Sequence, residues 1–551
     1  MKKIYKIFAA AASVILAASC VHQLDTLPLN ETDFTSELAY KDKDSYIRGL
    51  AYINAYYSFV SQGDPGTSDL KFSDAGQSEL VRQYINLNEL SADSFKCVWG
   101  DSYVSDIQYN KWTTAVNDAT EAVYTRCLKG IALANEFLLQ TEDAKLEARG
   151  HSDVKGVVAG YRAEARFHRA MFFYLLMDLF GNPPFPMPEN IGGDMPAQIQ
   201  RADLYNWIEG ECLDLLNGDM PEKGAVPYPR PTKGSVQALL ARMYLNAEVY
   251  TGTPQWQKAK DAAKAVIEMG YILNPSYEDN FFQDNTETGA AENEFIFAIE
   301  YDKDHAQSWG GTTTLASAAL DDASSQKIAS LLGLSSENVM VERWNGYHVA
   351  NDYVARFDLK EVDWSGEGFG YNRETSDKRA FFINEGVRDF DNSDVATGWR
   401  CWKFSSRYSD GHINGSEVDN YKLSSCDFPI FRLPEMYLIY AEAEARLGDG
   451  TVTSSEARGY IKSLRDRAGV PMPDNITLDF LLDERARELM WEGHRRTDLI
   501  RYGYYTAASF PWTLKGGIAD GKIAIPEYMT IYPIIMTDMN ANSKLVQNIG
   551  Y

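Results

Sequence analysis

Three stretches set flat rings beside groups that make directional hydrogen bonds. Asp74, Arg82 and Trp99 fall within one N-terminal stretch, Trp309 precedes Gly310-Gly311-Thr312, and Asn345-Gly346-Tyr347 offers a further aromatic in an exposed setting. A neutral ligand with C–H faces and many hydroxyls, such as a sugar, is held by aromatic platforms plus side chains that donate and accept in pairs. Small residues after Trp309 would leave a face of its ring open. The competing reading for each ring is burial, because large aromatics usually pack inside.

Other clusters suggest catalysis but lack its requirements. The charged run Glu484 to Arg501 holds Glu488, Glu492, His494 and Asp498, types that could act as acid and base. Glycoside cleavage needs two carboxylates facing each other across a bond, which spacing along a chain does not supply. Glu492 stands at i, i+3 from Arg495 and i, i+4 from Arg496, so a salt-bridge network fixing a helix is the better reading. Gly516 to Lys522 imitates a phosphate-binding loop, but Ile523 replaces the magnesium-binding hydroxyl residue. Gly366-Glu367-Gly368-Phe369-Gly370 lacks dinucleotide spacing, and no His-Glu-x-x-His helix exists. Asp389 to Asp394 is acidic without the glycine and distant glutamate of a calcium loop. The chain is therefore expected to be no enzyme and to carry no cofactor, a structural calcium being unsupported.

The chain's 551 residues, 45% hydrophobic and 13% aromatic, suffice for a large core. Its formal charge of −25 repels phosphate backbones and anionic lipid, which argues against nucleic acid as a partner. Met1-Lys2-Lys3 followed by the apolar stretch Ile7 to Ala18 is the layout of a secretion signal, too short to span a bilayer. Leu16-Ala17-Ala18-Ser19-Cys20 is similar to a bacterial lipobox with its leucine one place early, so residues 1–19 read as a leader and Cys20 as the lipidated residue. Acyl chains there would anchor the protein without a spanning helix; ordinary cleavage with an incidental Cys20 is the alternative. Cys97, Cys127, Cys212, Cys401 and Cys426 form an odd set without a C-x-x-C pair. Buried free thiols are expected, with Cys401 and Cys426 the one pair to consider for a disulfide.

The elements that must position these residues are helical. Spacing predicts helices near 45–57 and 115–140, and a further one in which His168, Met171, Phe172, Leu175 and Leu179 share a face and Gly181-Asn182-Pro183-Pro184 ends it. Val236, Leu239, Leu240, Met243 and Ala247 repeat that face, and Trp256, Ala259, Ala263 and Ile267 supply an antiparallel partner. A second hairpin sets Met436, Ile439, Tyr440, Ala443 and Leu447 against Ala457, Tyr460, Ile461, Leu464 and Ala468. Gly448 is expected as a left-handed C-cap, Thr453 with Glu456 as a capping box, and Gly469 as the end of the second helix. Pairs with alternating large and small residues stack as tetratricopeptide-type solenoids do. Between Gly270 and Phe428 the texture changes to short β-prone runs such as Phe295 to Ile299, and that region carries Trp309, Trp344, Trp364, Trp399 and Trp402. The fold class is mainly α: one unit from residue 20 to 551, with a helical-hairpin scaffold at 40–270 and 428–505. A loop-rich, short-stranded insertion at 271–427 displays loops on it, and a tail runs over 506–551.

Several blocks together resemble the SusD/RagB family of outer-membrane nutrient-binding lipoproteins over essentially the whole chain. They are Asn88 to Asp93, Arg162 to Phe167 continuing to Pro184, Phe431 to Tyr437 with Ala441-Glu442-Ala443, Glu484 to Glu488 with Glu492 to Leu499, and the end from Ile531-Tyr532-Pro533-Ile534 to Gln547-Asn548-Ile549-Gly550-Tyr551. The resemblance implies four helical-repeat hairpins, an oligosaccharide or polysaccharide site on variable loops, a lipid anchor at the cell surface, and a TonB-dependent barrel transporter of the SusC type as partner. Tyr244-Leu245-Asn246-Ala247 with Tyr250-Thr251-Gly252 further resembles the family's starch-binding founder. Aligned on the flanking blocks, Asp74, Arg82, Trp99, Trp309 and Tyr347 look like that member's glycan-contacting positions. One of its aromatic platforms falls on Cys97 and an asparagine contact falls near Ser102, departures that put α-glucan as the ligand in doubt. A surface glycoside hydrolase, or a transporter lid without its own glycan site, are the alternatives.

Overall fold

Which faces the sequence makes apolar decides which helices lie side by side. The computed structural model describes residues 36–61, 65–72, 74–334, 339–359, 361–363, 369–371, 376–384, 398–512 and 524–551. Before the insertion come α1 (Asp44–Ala55), α2 (Leu80–Glu89), α3 (Asp118–Gln140), α4 (Lys155–Phe180), α5 (Arg201–Asn217), α6 (Lys233–Leu245) and α7 (Trp256–Ile267). After it come α8 (Leu433–Leu447), α9 (Ser455–Ala468), α10 (Leu478–Glu488) and α11 (Arg495–Arg501). From α3 to α9 each helix packs on the next, so α8 lies against α7 although the whole insertion separates them in the chain. This is the helical-hairpin scaffold the periodicity predicts.

The expected faces are the buried ones except at Leu447, which is 48% exposed where α8 ends. His168, Met171, Phe172, Leu175 and Leu179 of α4 are buried, and Gly181 ends that helix at φ +73°. Val236, Leu239, Leu240 and Met243 of α6 meet Ala259, Ala262 and Ala263 of α7, where small side chains let neighbouring backbones approach. The face of α7 is rotated slightly from expectation, with Val266 buried and Ile267 half-buried. On α9, Ala457, Ile461, Leu464 and Ala468 are buried and Gly469 terminates the helix at φ +72°.

Two capping expectations are corrected. Gly448 has φ −100° and is not left-handed; the reversal falls to Gly450 at φ +90°, whose amide donates to Ala445 O. The cap of α9 is Ser454, whose Oγ accepts the Ala457 amide at 3.1 Å. Glu456 is not free to complete a box with Thr453 because it accepts from Lys264 and from Tyr440.

The charged run near the end is also rearranged. It forms two helices, α10 and α11, with left-handed Trp491 (φ +59°) and Gly493 (φ +80°) between them. A Cβ on Gly493 would lie 2.5 Å from the Tyr84 ring, so that turn needs glycine. Because the helix breaks, Glu492 does not pair with Arg495 or Arg496. It accepts from Arg432 at 2.7 Å and Lys403 at 2.5 Å, while Arg495 binds Asp93 at 2.7 Å and Arg496 lies over the Tyr532 ring. The network exists, with i, i+3 pairs Glu484–Arg487 and Asp498–Arg501 inside the helices, but the bonds of Glu488 and Glu492 join distant parts of the chain.

The insertion is tied back by two antiparallel ladders. β1 (Phe95–Cys97) pairs with β3 (Tyr347–Val349), and β2 (Phe295–Ile299) pairs with β4 (Phe428–Arg432), the strand leading into α8. Four short strands at 361–363, 369–371, 382–384 and 400–401 form a separate antiparallel sheet. Helices Gly311–Ser317 and Asp322–Leu331 also lie here, so the insertion is less purely β-like than its composition suggests. Cys97, Cys127, Cys212, Cys401 and Cys426 are free and buried, so no Cys401–Cys426 bond forms. The leader with Cys20, the glycine-rich run at 516–522, Gly366 to Gly368, Trp364 and the acidic run at 389–394 lie outside the described residues.

Candidate functional site

Residues spread from position 74 to 347 meet on one surface, and the β1–β3 ladder brings their halves together. Cys97 stands opposite Tyr347, and the Val98 amide donates to Gly346 O at 3.0 Å. Trp99 therefore lies directly on Gly346, where a Cβ would fall 2.1 Å from the indole. The Trp99 and Trp344 ring centroids are 6.4 Å apart at 52°, and Trp344 is 6.4 Å from Trp309 at 34°. All three indoles are half-buried. They make a stepped row with Trp344 in the middle, held partly by the Trp99 Nε1 donating to Trp344 O at 3.4 Å and Trp344 Nε1 donating to Glu342 at 3.2 Å.

Hydrogen-bonding groups come from the turn at Asp74 and from α2, which reach both Trp309 and Trp99. Asp74 caps the single turn Ala75–Ser78, its Oδ1 accepting the Gly76 amide at 2.8 Å, while Oδ2 lies 3.7 Å from Arg82 Nη1 on a side chain 47% exposed. Arg82, on α2, sits with Cζ 5.8 Å from the Trp99 ring centre. Gln77 Nε2, on the same turn, donates to Asp101 at 3.2 Å, two residues after Trp99.

Asp74, Arg82, Trp99, Trp309 and Tyr347 are thus neighbours, but not all face solvent. Tyr347 is 3% exposed, its hydroxyl donates to Asn86 of α2, and its ring meets Trp99 edge-on at 5.1 Å. As a ladder residue it points into the core, and burial pushes its hydroxyl pKa well above the usual value. It supports the site from beneath. Arg82 is 5% exposed and braces Trp99 more than it offers donors outward. Gly310 and Gly311 do not serve to open the Trp309 ring: Cβ atoms there would lie 2.4 Å from Glu79 and 1.9 Å from Tyr301, so the glycines let the turn close on the core. Cys97 is buried below the row and Ser102 is exposed at the start of the helix Ser102–Gln108. Trp344, Gln77 and Asp101 are the members that sequence reasoning did not select. Trp344 lies just before Asn345 (φ +47°) and Gly346, outside the ladder that buries Tyr347, a placement set by the distant strand β1.

A groove of about 600 Å³ lies elsewhere, between α3 and the tail, lined by Phe72, Tyr124, Leu128 and Ile535. Two of its three acids are engaged in ion pairs or hydrogen bonds: Asp69 pairs with Arg126 at 2.7 Å and Lys129 at 3.1 Å, and Asp538 accepts from Tyr124 at 2.6 Å. Among the described residues no group of three His, Cys, Asp or Glu side chains is disposed to hold a metal. The indole row offers flat faces and acceptors, an arrangement suited to holding a hydroxylated ring.

Comparison with known proteins bears on the family and the fold. Residues 293–551 match the profile described as SusD family, and residues 73–245 match one described as starch-binding associating with outer membrane. The starch-binding protein SusD of Bacteroides thetaiotaomicron is 30% identical over 100% of this chain and 99% of its own. A SusD homolog from the same species superposes with a TM-score of 0.68 at 18% identity, covering 95% of this chain and 100% of that one. Surface glycan-binding protein A of Bacteroides thetaiotaomicron, solved with laminarihexaose, gives 0.66 at 16% identity, covering 92% and 99%. With the helical row, the bridging insertion and full-length identity all in agreement, the chain belongs to the SusD family.

Proposed function

We propose that the protein is a non-catalytic glycan-binding lipoprotein of the outer membrane, anchored at the cell surface through Cys20, that captures oligosaccharide and delivers it to a SusC-type TonB-dependent transporter. The observation that carries this reading is the row Trp309–Trp344–Trp99 with the half-exposed Asp74 on the neighbouring turn. Stacked rings recognise the C–H face of a pyranose and carboxylates accept from its hydroxyls. Relatives that bind starch and laminarihexaose support carbohydrate as the ligand class. The family profile that names the outer membrane supports the location. Among the described residues no helix is long and apolar enough to cross a membrane, so an acylated cysteine is the anchor this reading needs.

Function here consists of affinity and position. A surface site with a few platforms gives dissociation constants of roughly micromolar to millimolar, about −8 to −4 kcal/mol, which suits a ligand that must be released to a transporter. Tethering to the surface raises the effective concentration along a repeating polymer. Affinity electrophoresis against soluble polysaccharides tests the reading: retardation by at least one glycan, with the oligosaccharide intact after incubation, is expected. Shortened products would favour a hydrolase, and no retardation in any gel would favour a lid that binds the transporter alone.

A further inference from the structure

Beneath the indole row a single carboxylate joins the elements that carry its parts. Glu79 is fully buried, immediately before α2. Its Oε2 accepts the amides of Arg82 at 2.6 Å and Gly311 at 3.0 Å, and its Oε1 accepts from the Tyr301 hydroxyl at 2.5 Å. One amide belongs to the residue that braces Trp99, and the other lies two residues after Trp309. Gly310 lies so close that a Cβ there would be 2.4 Å from the Glu79 Cβ, and Gly76, between Asp74 and Glu79, would meet Trp309 O at 2.7 Å. The backbone just after Trp309 is therefore held through this one side chain, and Trp309 O packs against the turn that precedes Glu79.

Glu79 is also the N-cap of α2, where its carboxylate satisfies the otherwise unpaired Arg82 amide. Burial pushes the Glu79 carboxyl up to about 7 despite the Tyr301 hydroxyl, the two amides and the nearby Arg126 guanidinium. The surrounding charged groups are Arg82 and Asp74 on its own side, Arg126 from α3, and Asp427 behind Tyr301. A buried carboxylic side chain is destabilising unless its acceptors are used, and these are used to hold the Trp309 turn against α2.

We infer that Glu79 is the positioning residue of the indole row: it touches no ligand, fixes Trp309 relative to Trp344 and Arg82, and so sets the spacing on which glycan affinity depends. The affinity half of this inference rests on the function proposed above; the positional half does not. A glutamine can keep Oε on the two amides and turn its NH₂ to the Tyr301 oxygen, so Glu79→Gln preserves the tie while Glu79→Ala removes it. The protein labelled with ¹⁵N-tryptophan, its Trp309 indole N–H identified with Trp309→Phe, reports the position directly. Glu79→Ala should shift or broaden that resonance while the remote Trp207 resonance stays, and Glu79→Gln should restore it. Gly310→Ala, which drives a Cβ into Glu79, should move the same resonance, and serves if Glu79→Ala does not fold. A Trp309 resonance unchanged in the variants that fold would overturn the inference. With a polysaccharide that retains the wild type, Glu79→Ala should weaken binding about tenfold in the wild-type background and less than twofold in a Trp309→Ala background; equal losses in both would mean that Glu79 does not act through Trp309. If the wild type is retained by no glycan, the proposed function fails and the resonance still decides the position.

Discussion

Trp344 and Tyr347 stand three residues apart and differ in burial because the ladder with β1 takes hold between them. Tyr347 is opposite Cys97 and sends its hydroxyl to Asn86, whereas Trp344 lies outside the ladder and is half-buried. The two side chains should therefore separate in experiment. Tyr347→Phe should lower stability by about 1 kcal/mol, the usual worth of one buried hydrogen bond, and leave glycan retention unchanged. Trp344→Ala should keep the melting temperature within a few degrees and weaken retention about 3- to 10-fold, corresponding to the ~0.5–1.5 kcal/mol of an aromatic contact. Thermal unfolding and affinity electrophoresis on the same preparations distinguish these outcomes. Clusters of ring and acid were legible in the sequence around Asp74, Trp99 and Trp309. Which ring of the 344–347 segment faces outward was not, because that depends on pairing with a strand some 250 residues away in the chain.

At the scale of elements, the α10–α11 region is fastened by ions that helical spacing does not predict. Glu488 is fully buried and binds Arg432 at 2.6 Å and Arg379 at 3.1 Å, and also pairs with Arg467, so it joins β4, the insertion and α9. Against burial, which pushes it up, Arg467 and Arg432 lead in holding its carboxyl down at about 2. Glu488→Ala takes one carboxylate from three buried guanidinium groups that keep Glu492, Glu294 and Asp377 as partners, and denaturant unfolding should show a loss of about 3 kcal/mol. Less than ~1 kcal/mol would mean that water reaches these arginines. Helix faces such as Leu239-Leu240-Met243 against Ala259-Ala263 were legible because a 3.6-residue period records burial locally. The partners of Glu492 and the cap at Ser454 were not, because each is chosen by a competitor, Arg432 in one case and Lys264 in the other, that arrives from another element.

For the whole molecule, a continuous row of helices supplies rigidity and the bridging insertion supplies the site, so the indole row draws on residues 99, 309 and 344 at once. Its buried acids also set how stability responds to pH. Burial raises the carboxyls of Glu79, Glu89 and Asp427 to about 7. Carrying their charge in the fold is unfavourable above that value, and the penalty disappears as pH falls from about 7 towards the ordinary carboxylate range. Glu488 and Asp93 work the other way: against burial, Arg467 and Arg432 hold the first down and Arg495 and Arg356 the second, so their contribution is complete above about pH 4.5 and is lost on further acidification. The melting temperature should therefore rise from pH 8 to a maximum at about pH 5 and fall below pH 4; a monotonic decline from pH 8 downward would show that the three buried acids are solvated.

Isothermal titration of the wild type and of a Trp99→Ala, Trp309→Ala, Trp344→Ala triple variant with a retained polysaccharide bears most directly on the passive aromatic grip. The wild type should bind in the micromolar to millimolar range, and the triple variant should show no heat of binding while melting as a folded protein. A folded triple variant that binds as tightly as the wild type would place the carbohydrate elsewhere on the molecule.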